Sequence, residues 1–366
     1  VFYGRAAFTD SHAVAVDGEV LEGDAFLVAT GSRPAIPPIE GLSDVPYLTS
    51  DLLTSDEGLE LTELPASLVI LGGGYIALEL GQMFQRFGTR VTILERSGRI
   101  LPGYEPEIGT TLAAILRDEG LTLVTDAAAQ RVRQDGPDVV VVAAVGGRLR
   151  EFRAARLLVA AGRVPNTEGL GLERPGVHLD AHGFVAVDDT LRTTAPHVWA
   201  AGDVIGRQIA NQPATPVGAH DGVIAASNAL RGDGRRVDHR VIPRTIFTDP
   251  QVAVVGLTEA QAHAAGHRCR CTVVPMSAVP RAGAVRDPRG VIKMVLDADS
   301  EEVLGVSMLG LNAGEVVHEA AMALRFRATV HDFIDLVHVY PTMAEALKIV
   351  ALSFFKDVTK LSCCAE

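Results

Sequence analysis

Long apolar runs, basic clusters and cysteines are all scarce in this sequence, and each scarcity removes a class of function. Among the 366 residues no apolar stretch approaches the roughly 18 that cross a bilayer. The first residues also lack the basic, apolar and small-residue order of a secretion signal, so the chain reads as cytoplasmic with no membrane partner. A formal charge of −12 opposes a phosphate backbone, and no Lys/Arg run or interleaved aromatic stripe overrides it locally, so nucleic acid is not an expected partner. Four cysteines, Cys269, Cys271, Cys363 and Cys364, are too few and too clustered for a disulfide framework in a chain this long. Reactive or metal-binding uses remain for them. No H-E-x-x-H, G-x-S-x-G or Walker A sequence is present, which leaves metalloprotease, serine-hydrolase and P-loop readings without support.

What is abundant is small and apolar: 48% hydrophobic residues with only 5% aromatic, and 36 glycines, the composition of an α/β enzyme rich in Val, Ala and tight turns. The length exceeds the roughly 250 residues one core supports, so two or three domains are expected. Ala13 to Val20 alternates like a strand, and Asp24 to Ser32 reads as a buried strand ending in a glycine turn before Pro34, Pro37 and Pro38. From Ser67 the pattern becomes strand, glycine turn, helix and second strand, a βαβ unit. Further strands are expected at Leu121 to Val124, Val139 to Val145, Glu151 to Ala160, Gly183 to Val187 and His197 to Ala201. Helices are expected over Glu107 to Glu119 and Val217 to Leu230. Beyond Val241 come strands at Val252 to Val255, Val291 to Leu296 and Val303 to Leu309, with helices over Gly314 to Phe326 and Met343 to Phe355.

Gly72-Gly73-Gly74-Tyr75-Ile76-Ala77 fits G-x-G-x-x-A between an apolar strand and a helix, with the acidic Glu95 about twenty residues on. The first glycine turns the chain, the second admits a pyrophosphate, and the small Ala77 lets helix and strand approach while the helix N-terminus stabilises the anion. Glu95 suits a free ribose hydroxyl, whereas Arg96 and Arg99 could pair a 2′-phosphate or simply form a solvated turn. We favour NADPH and keep NADH open.

Two further signatures flank this unit, Ala29-Thr30-Gly31 and Trp199-Ala200-Ala201-Gly202-Asp203, each after an apolar strand. In this order the motifs resemble the pyridine nucleotide-disulfide oxidoreductase family. The likeness continues through Ala161-Gly162-Arg163-Val164-Pro165-Asn166 and Phe247-Thr248-Asp249-Pro250-Gln251. It implies two Rossmann-like α/β nucleotide domains, the FAD one incomplete, and an α+β dimerisation domain. The expected boundaries are 1–45 with 184–240 for the FAD part, 46–183 for the NAD(P)H domain and 241–366 for the dimerisation domain. By resemblance Thr30, Gly31, Gly202, Asp203 and Val217 face FAD, with the Asp203 carboxylate on the ribityl. Gly72, Gly74, Tyr75, Ile76, Glu79, Glu95, Arg96 and Gly162 face the nicotinamide nucleotide. The family's upstream FAD fingerprint and Cys-x4-Cys redox pair are not in this sequence, which opens at Val1 directly on strand-like residues. A fragment that binds FAD weakly and is inactive alone is therefore expected.

Within the family, the C-terminal residues resemble those of mercuric reductases. Disulfide reductases such as dihydrolipoamide dehydrogenase carry His-Pro and then a Glu, because dithiol exchange needs a base. Here the run is Tyr340-Pro341-Thr342-Met343-Ala344-Glu345, and a phenol with a pKa near ~10 is a poor base at neutral pH but can hydrogen-bond beside a bound metal. The adjacent Cys363 and Cys364 resemble the vicinal tail pair that collects soft Hg(II) from small thiols. Tyr75 also fits this branch. The resemblance implies a homodimer in which each tail serves the partner's active site, with Tyr75, Tyr340, Glu345, Cys363 and Cys364 catalytic. The rival readings are a dithiol-reducing enzyme of the same fold and a non-catalytic metal-binding protein. Tyr340 as a structural residue and the tail thiols as incidental are the plainer alternatives. Cys269 and Cys271, two apart on a strand, read as ordinary residues.

Overall fold

The computed structural model describes residues 1–51, 61, 63–206 and 214–358. They form two compact units, one from 1–35 and 162–239 and the other from 36–161 and 240–366.

The first unit is built on short strands. Ala6–Asp10, Ala13–Val16 and Glu19–Glu22 make an antiparallel meander. The alternation from Ala13 to Val20 is thus a hairpin and not one strand. Asp17 and Gly18 both take positive φ, 47° and 93°, the geometry of the two-residue Asp-Gly turn whose twist matches the flanking strands. Phe26–Val28 runs parallel to Val198–Ala200, and Ser32–Pro34 pairs antiparallel with Arg163–Pro165. A helix over Thr215–Arg231 starts with Pro216 and ends on left-handed Gly232, and it buries Ile224 and Ala225 against Phe8, Val28, Val198 and Trp199. The strand expected at Gly183 to Val187 is absent as such. That segment makes only isolated bridges, Leu179 to Val185 and Val187 to Thr193. Residues 162–183, expected with the NAD(P)H domain, cluster with this unit.

In the second unit a parallel sheet has the order β4-β1-β2-β3, with β1 at Ser67–Leu71, β2 at Arg90–Leu94, β3 at Thr122–Val124 and β4 at Arg156–Val159. Helices α1 (Tyr75–Arg86) and α2 (Pro106–Asp118) cover it, burying Ala77, Leu78, Ile108, Leu112 and Leu116. The single strand expected over Glu151 to Ala160 breaks at Ala155. Arg148–Ala154 joins an antiparallel sheet with Ala127–Asp135 and Asp138–Val145, and the chain then enters β4 as the Ala155 amide donates to Ser67 Oγ at 2.9 Å.

The C-terminal part is one antiparallel five-stranded sheet, β5-β6-β9-β8-β7, comprising β5 Arg244–Ile246, β6 Gln251–Gly256, β7 Cys269–Pro275, β8 Val291–Asp297 and β9 Val303–Gly310. Its apolar runs are continuous because both faces are covered. Helix α3 (Glu259–Ala264) follows β6, whose Ala253 and Val255 pack toward α4 (Ala313–Arg325), α5 (Val330–Asp335) and α6 (Glu345–Leu352), while Val252 and Val254 join the core of α1 and α2. The nucleotide fold and this sheet therefore share one hydrophobic core across the boundary expected near residue 241.

Lys293 crosses that seam. It sits on β8, its side chain 2% exposed, with Nζ donating to Glu105 Oε2 at 3.0 Å, Glu107 Oε1 at 3.0 Å and Glu259 Oε2 at 2.8 Å. Burial opposes the charge, but the three carboxylates outweigh it and hold the ammonium pKa above its ordinary value. Replacing Lys293 with Met leaves these carboxylates crowded without a cation, so K293M is expected to lose about 3–5 kcal/mol of stability. Urea unfolding of wild type and variant measures this. An unchanged midpoint would show the cluster to be neutral.

Candidate nucleotide-binding and redox site

At the glycine turn each glycine has a separate reason. Gly72 has φ 112°, its amide donates to Leu94 O at 2.9 Å, and a Cβ there would lie 2.3 Å from the Ala160 carbonyl oxygen. Gly73 donates to Glu95 Oε2 at 2.6 Å, and a Cβ on it would press on that same side chain. Gly74 caps α1 with no side-chain hydrogen bond, and the space where its Cβ would stand is open. A pyrophosphate fits here, since the first amides of α1 have no side-chain cap and, among the described residues, the space at the Gly74 Cβ position is open. Glu95 is buried, with its other oxygen accepting from Ser97 N at 2.7 Å, so the carboxylate is fixed in direction at the end of β2. Arg99 turns inward and donates to the carbonyls of Tyr104 at 2.9 Å and Pro102 at 2.7 Å, leaving Arg96 as the exposed guanidinium of this turn.

One turn into α1, Glu79 Oε1 accepts the Phe247 amide at 2.7 Å, fastening the helix to the loop after β5. Burial raises its pKa and this hydrogen bond only partly offsets the rise. Tyr75 and Ile76 are half-buried at the start of the same helix. The electrostatic neighbourhood of Tyr104 includes Tyr75, Glu79 and Arg244, and its phenol is pushed up to about 12, chiefly by burial.

In the first unit the two loops flagged as a flavin shelf meet. Thr30 Oγ1 donates to Asn166 O at 2.7 Å, Asn166 Nδ2 returns a bond to Thr30 O at 2.9 Å, and Gly31 takes φ 70° with open space at its Cβ position. The Ala201 amide donates to Val28 O at 3.1 Å, Gly202 turns the chain at φ 78°, and Asp203 follows. Val217 is buried on the adjoining helix, where Gly218 and Gly202 make a close backbone approach. Ser32 connects the loops. It donates to Asp203 Oδ2 at 2.9 Å and accepts from Arg163 Nε at 2.8 Å. Ser32, Arg163 and Asn166 are functional-site candidates that motif reading passed over as individuals, although the Gly162-Arg163-Val164-Pro165-Asn166 run marked their neighbourhood. Gly162 itself has φ 127° with an open Cβ position.

At the C-terminal end Tyr340 is 53% exposed and precedes a cis bond to Pro341. Glu345 opens α6, and its Oε2 accepts the Thr342 amide at 3.0 Å, a structural use of the carboxylate named as catalytic. Cys363 and Cys364 lie outside the described residues. Cys269 and Cys271 are half-buried on β7. Burial raises both thiol pKa values, that of Cys271 to about 12 with Glu259 adding to the effect. Among the described residues no group of three or more His, Cys, Asp or Glu is arranged to hold a metal ion, and no helix is long and apolar enough to cross a membrane.

A model of the pyridine nucleotide-disulphide oxidoreductases matches residues 1–228, and the dimerisation domain of the same family matches residues 242–351. The chain belongs to this family. It is 42% identical to a mercuric reductase of Staphylococcus aureus, over 99% of this chain and 64% of that protein, and 41% identical to one of Streptomyces lividans, over 100% and 76%. It thus spans about two-thirds of the length of the Staphylococcus relative. Among solved structures, the HOCl-induced flavoprotein disulfide reductase RclA of Escherichia coli superposes with a TM-score of 0.82 at 32% identity, covering 96% of this chain and 79% of that one. LpdA of Mycobacterium tuberculosis also gives 0.82, at 28% identity, covering 96% and 77%.

The glycine geometry separates two effects. Gly72→Ala is expected to lower stability by about 1–3 kcal/mol and also weaken nicotinamide binding, since a Cβ at positive φ meets backbone. Gly74→Val should keep near wild-type stability while raising the NADPH dissociation constant at least about tenfold, because only the ligand's path is filled. Calorimetric titration beside thermal melts checks both.

Proposed function

We propose that this chain carries the nicotinamide site, part of the flavin site and the dimerisation domain of an oxidoreductase that reduces Hg(II) to Hg(0) with NADPH. The observation that carries the reading is Tyr340, an exposed phenol standing where a dithiol-reducing relative needs a base. Glu345, the acid that would pair with such a base, accepts the Thr342 amide through one oxygen.

When bound, the nicotinamide supplies hydride and the flavin relays the electron pair, two electrons per mercury ion. The chain's own residues bind and orient. Gly74 and the start of α1 would take the pyrophosphate, Glu95 a ribose hydroxyl, and exposed Arg96 a 2′-phosphate if present. Ser32 and Arg163 hold the Asp203 carboxylate in one direction for a flavin hydroxyl. Tyr340 would donate a hydrogen bond beside the metal's thiolate ligands, and Cys363 and Cys364 would collect Hg(II) from small thiols as a soft dithiolate pair. The tails would act across a homodimer.

The rival that deserves a separate assay is dithiol reduction, because the solved structures that superpose on this fold include a flavoprotein disulfide reductase. The test uses the full reading frame loaded with FAD, following NADPH oxidation with Hg(II) in excess thiol, with lipoamide and with glutathione disulfide, while trapping elemental mercury. The expected result is turnover with Hg(II) that falls at least about a hundredfold in Cys363→Ala/Cys364→Ala. Turnover with a disulfide alone overturns the reading. Arg96→Gln is expected to weaken NADPH by about tenfold and leave NADH unchanged, the signature of a lost phosphate contact.

A further inference from the structure

In the segment between α5 and α6, Leu336, Val337, Val339 and Tyr340 are 48%, 88%, 77% and 53% exposed, while the His338 side chain among them is only 5% exposed. A buried position in such a segment would ordinarily take an apolar side chain. Here both ring nitrogens of the histidine face acceptors. Nε2 lies 2.9 Å from Glu319 Oε1 on α4, and Nδ1 lies 3.3 Å from the Leu336 carbonyl oxygen. Neither a carboxylate nor a carbonyl can donate, so only the doubly protonated imidazolium satisfies both contacts. A second cation works on the same segment from α6, where Lys348 Nζ donates to Leu336 O at 3.3 Å. Tyr340 is two residues further along.

We propose that the His338–Glu319 ion pair is a pH-sensitive latch that positions Tyr340. His338 touches no reacting atom. It fixes the backbone that presents the phenol, and this inference rests on the reading of Tyr340 given above. The groups facing the ring are Glu319 from α4 and Lys348 from α6. The hydrogen bond to Glu319 raises the imidazole pKa above its ordinary 6.5, burial opposes that, Glu319's charge and the Leu336 carbonyl add to it, and Lys348 lowers it. The folded pKa being raised, the latch is closed below 6.5 and is lost as pH rises through the higher folded value.

The test reads backbone protection and turnover separately in the full reading frame with FAD, between about pH 6 and 9. Hydrogen exchange at residues 337–340, corrected for the intrinsic rate with a peptide of the same sequence, is expected to show protection falling about tenfold across the latch transition. In His338→Gln, which keeps a donor but cannot titrate, that pH dependence should vanish. In Glu319→Gln the transition should move to lower pH. Turnover should follow the same limb, in kcat and not in the KM for NADPH, and flatten in His338→Gln. Protection profiles of His338→Gln that superimpose on wild type overturn the proposal, as does a protection change that leaves kcat unaltered over the same limb. A latch transition in exchange and in disulfide turnover, with no Hg(II) turnover in any variant, upholds the latch and removes the mercury reading.

Discussion

A buried ammonium joins the two halves of the second unit. Lys293 belongs to the C-terminal sheet, Glu105 and Glu107 to the start of the helix that covers the nucleotide sheet, and Glu259 to the short helix Glu259–Ala264. Charges this far from water are held only when paired. The cluster therefore fixes the distance and rotation between the sheet and the nucleotide fold, and Val252, Val254, Ile246 and Leu309 fill the space this leaves. A like arrangement at the edge of the seam, Arg289 and Arg86 gripping Glu119 and Asp249, repeats the principle with more solvent.

That rigidity has a chemical use. The Glu79 carboxylate reaches the Phe247 amide because the seam holds α1 against the loop after β5, so the helix that follows the glycine turn is fastened to the C-terminal sheet. The glycine turn adds the other constraint. Gly72 must be bare to pass the Ala160 carbonyl, whereas the space at the Gly74 Cβ position is open. In the first unit a single hydroxyl, Ser32 Oγ, accepts from Arg163 and donates to Asp203, which turns two separate loops into one oriented shelf.

The C-terminal site follows a different physical logic. Tyr340 is exposed, and a phenol is a poor base at neutral pH, while Glu345 accepts the Thr342 amide through one oxygen. Hydrogen bonding and position are what remain to a phenol there, and position is governed by the charged anchor at His338.

Sequence alone determined the elements whose signal is local: the G-x-G-x-x-A turn with Glu95, the order of the nucleotide and dimerisation motifs, the Tyr340 substitution, and most of the helices and strands it placed, to within two residues. It misread Ala13 to Val20 because alternation continues across an Asp-Gly turn, and Glu151 to Ala160 because one apolar run serves two sheets. It could not show that the dimerisation domain expected from residue 241 shares a hydrophobic core with the nucleotide fold. Tertiary structure alone decided the partners. Nothing in the motifs singled out Lys293, Ser32 or His338, yet the chain brings carboxylates 188, 171 and 19 residues away into hydrogen-bond range of them. Local pattern reports which residues are apolar and where the backbone must turn. It carries no information about which distant charge ends beside a buried one, and that is a property of packing.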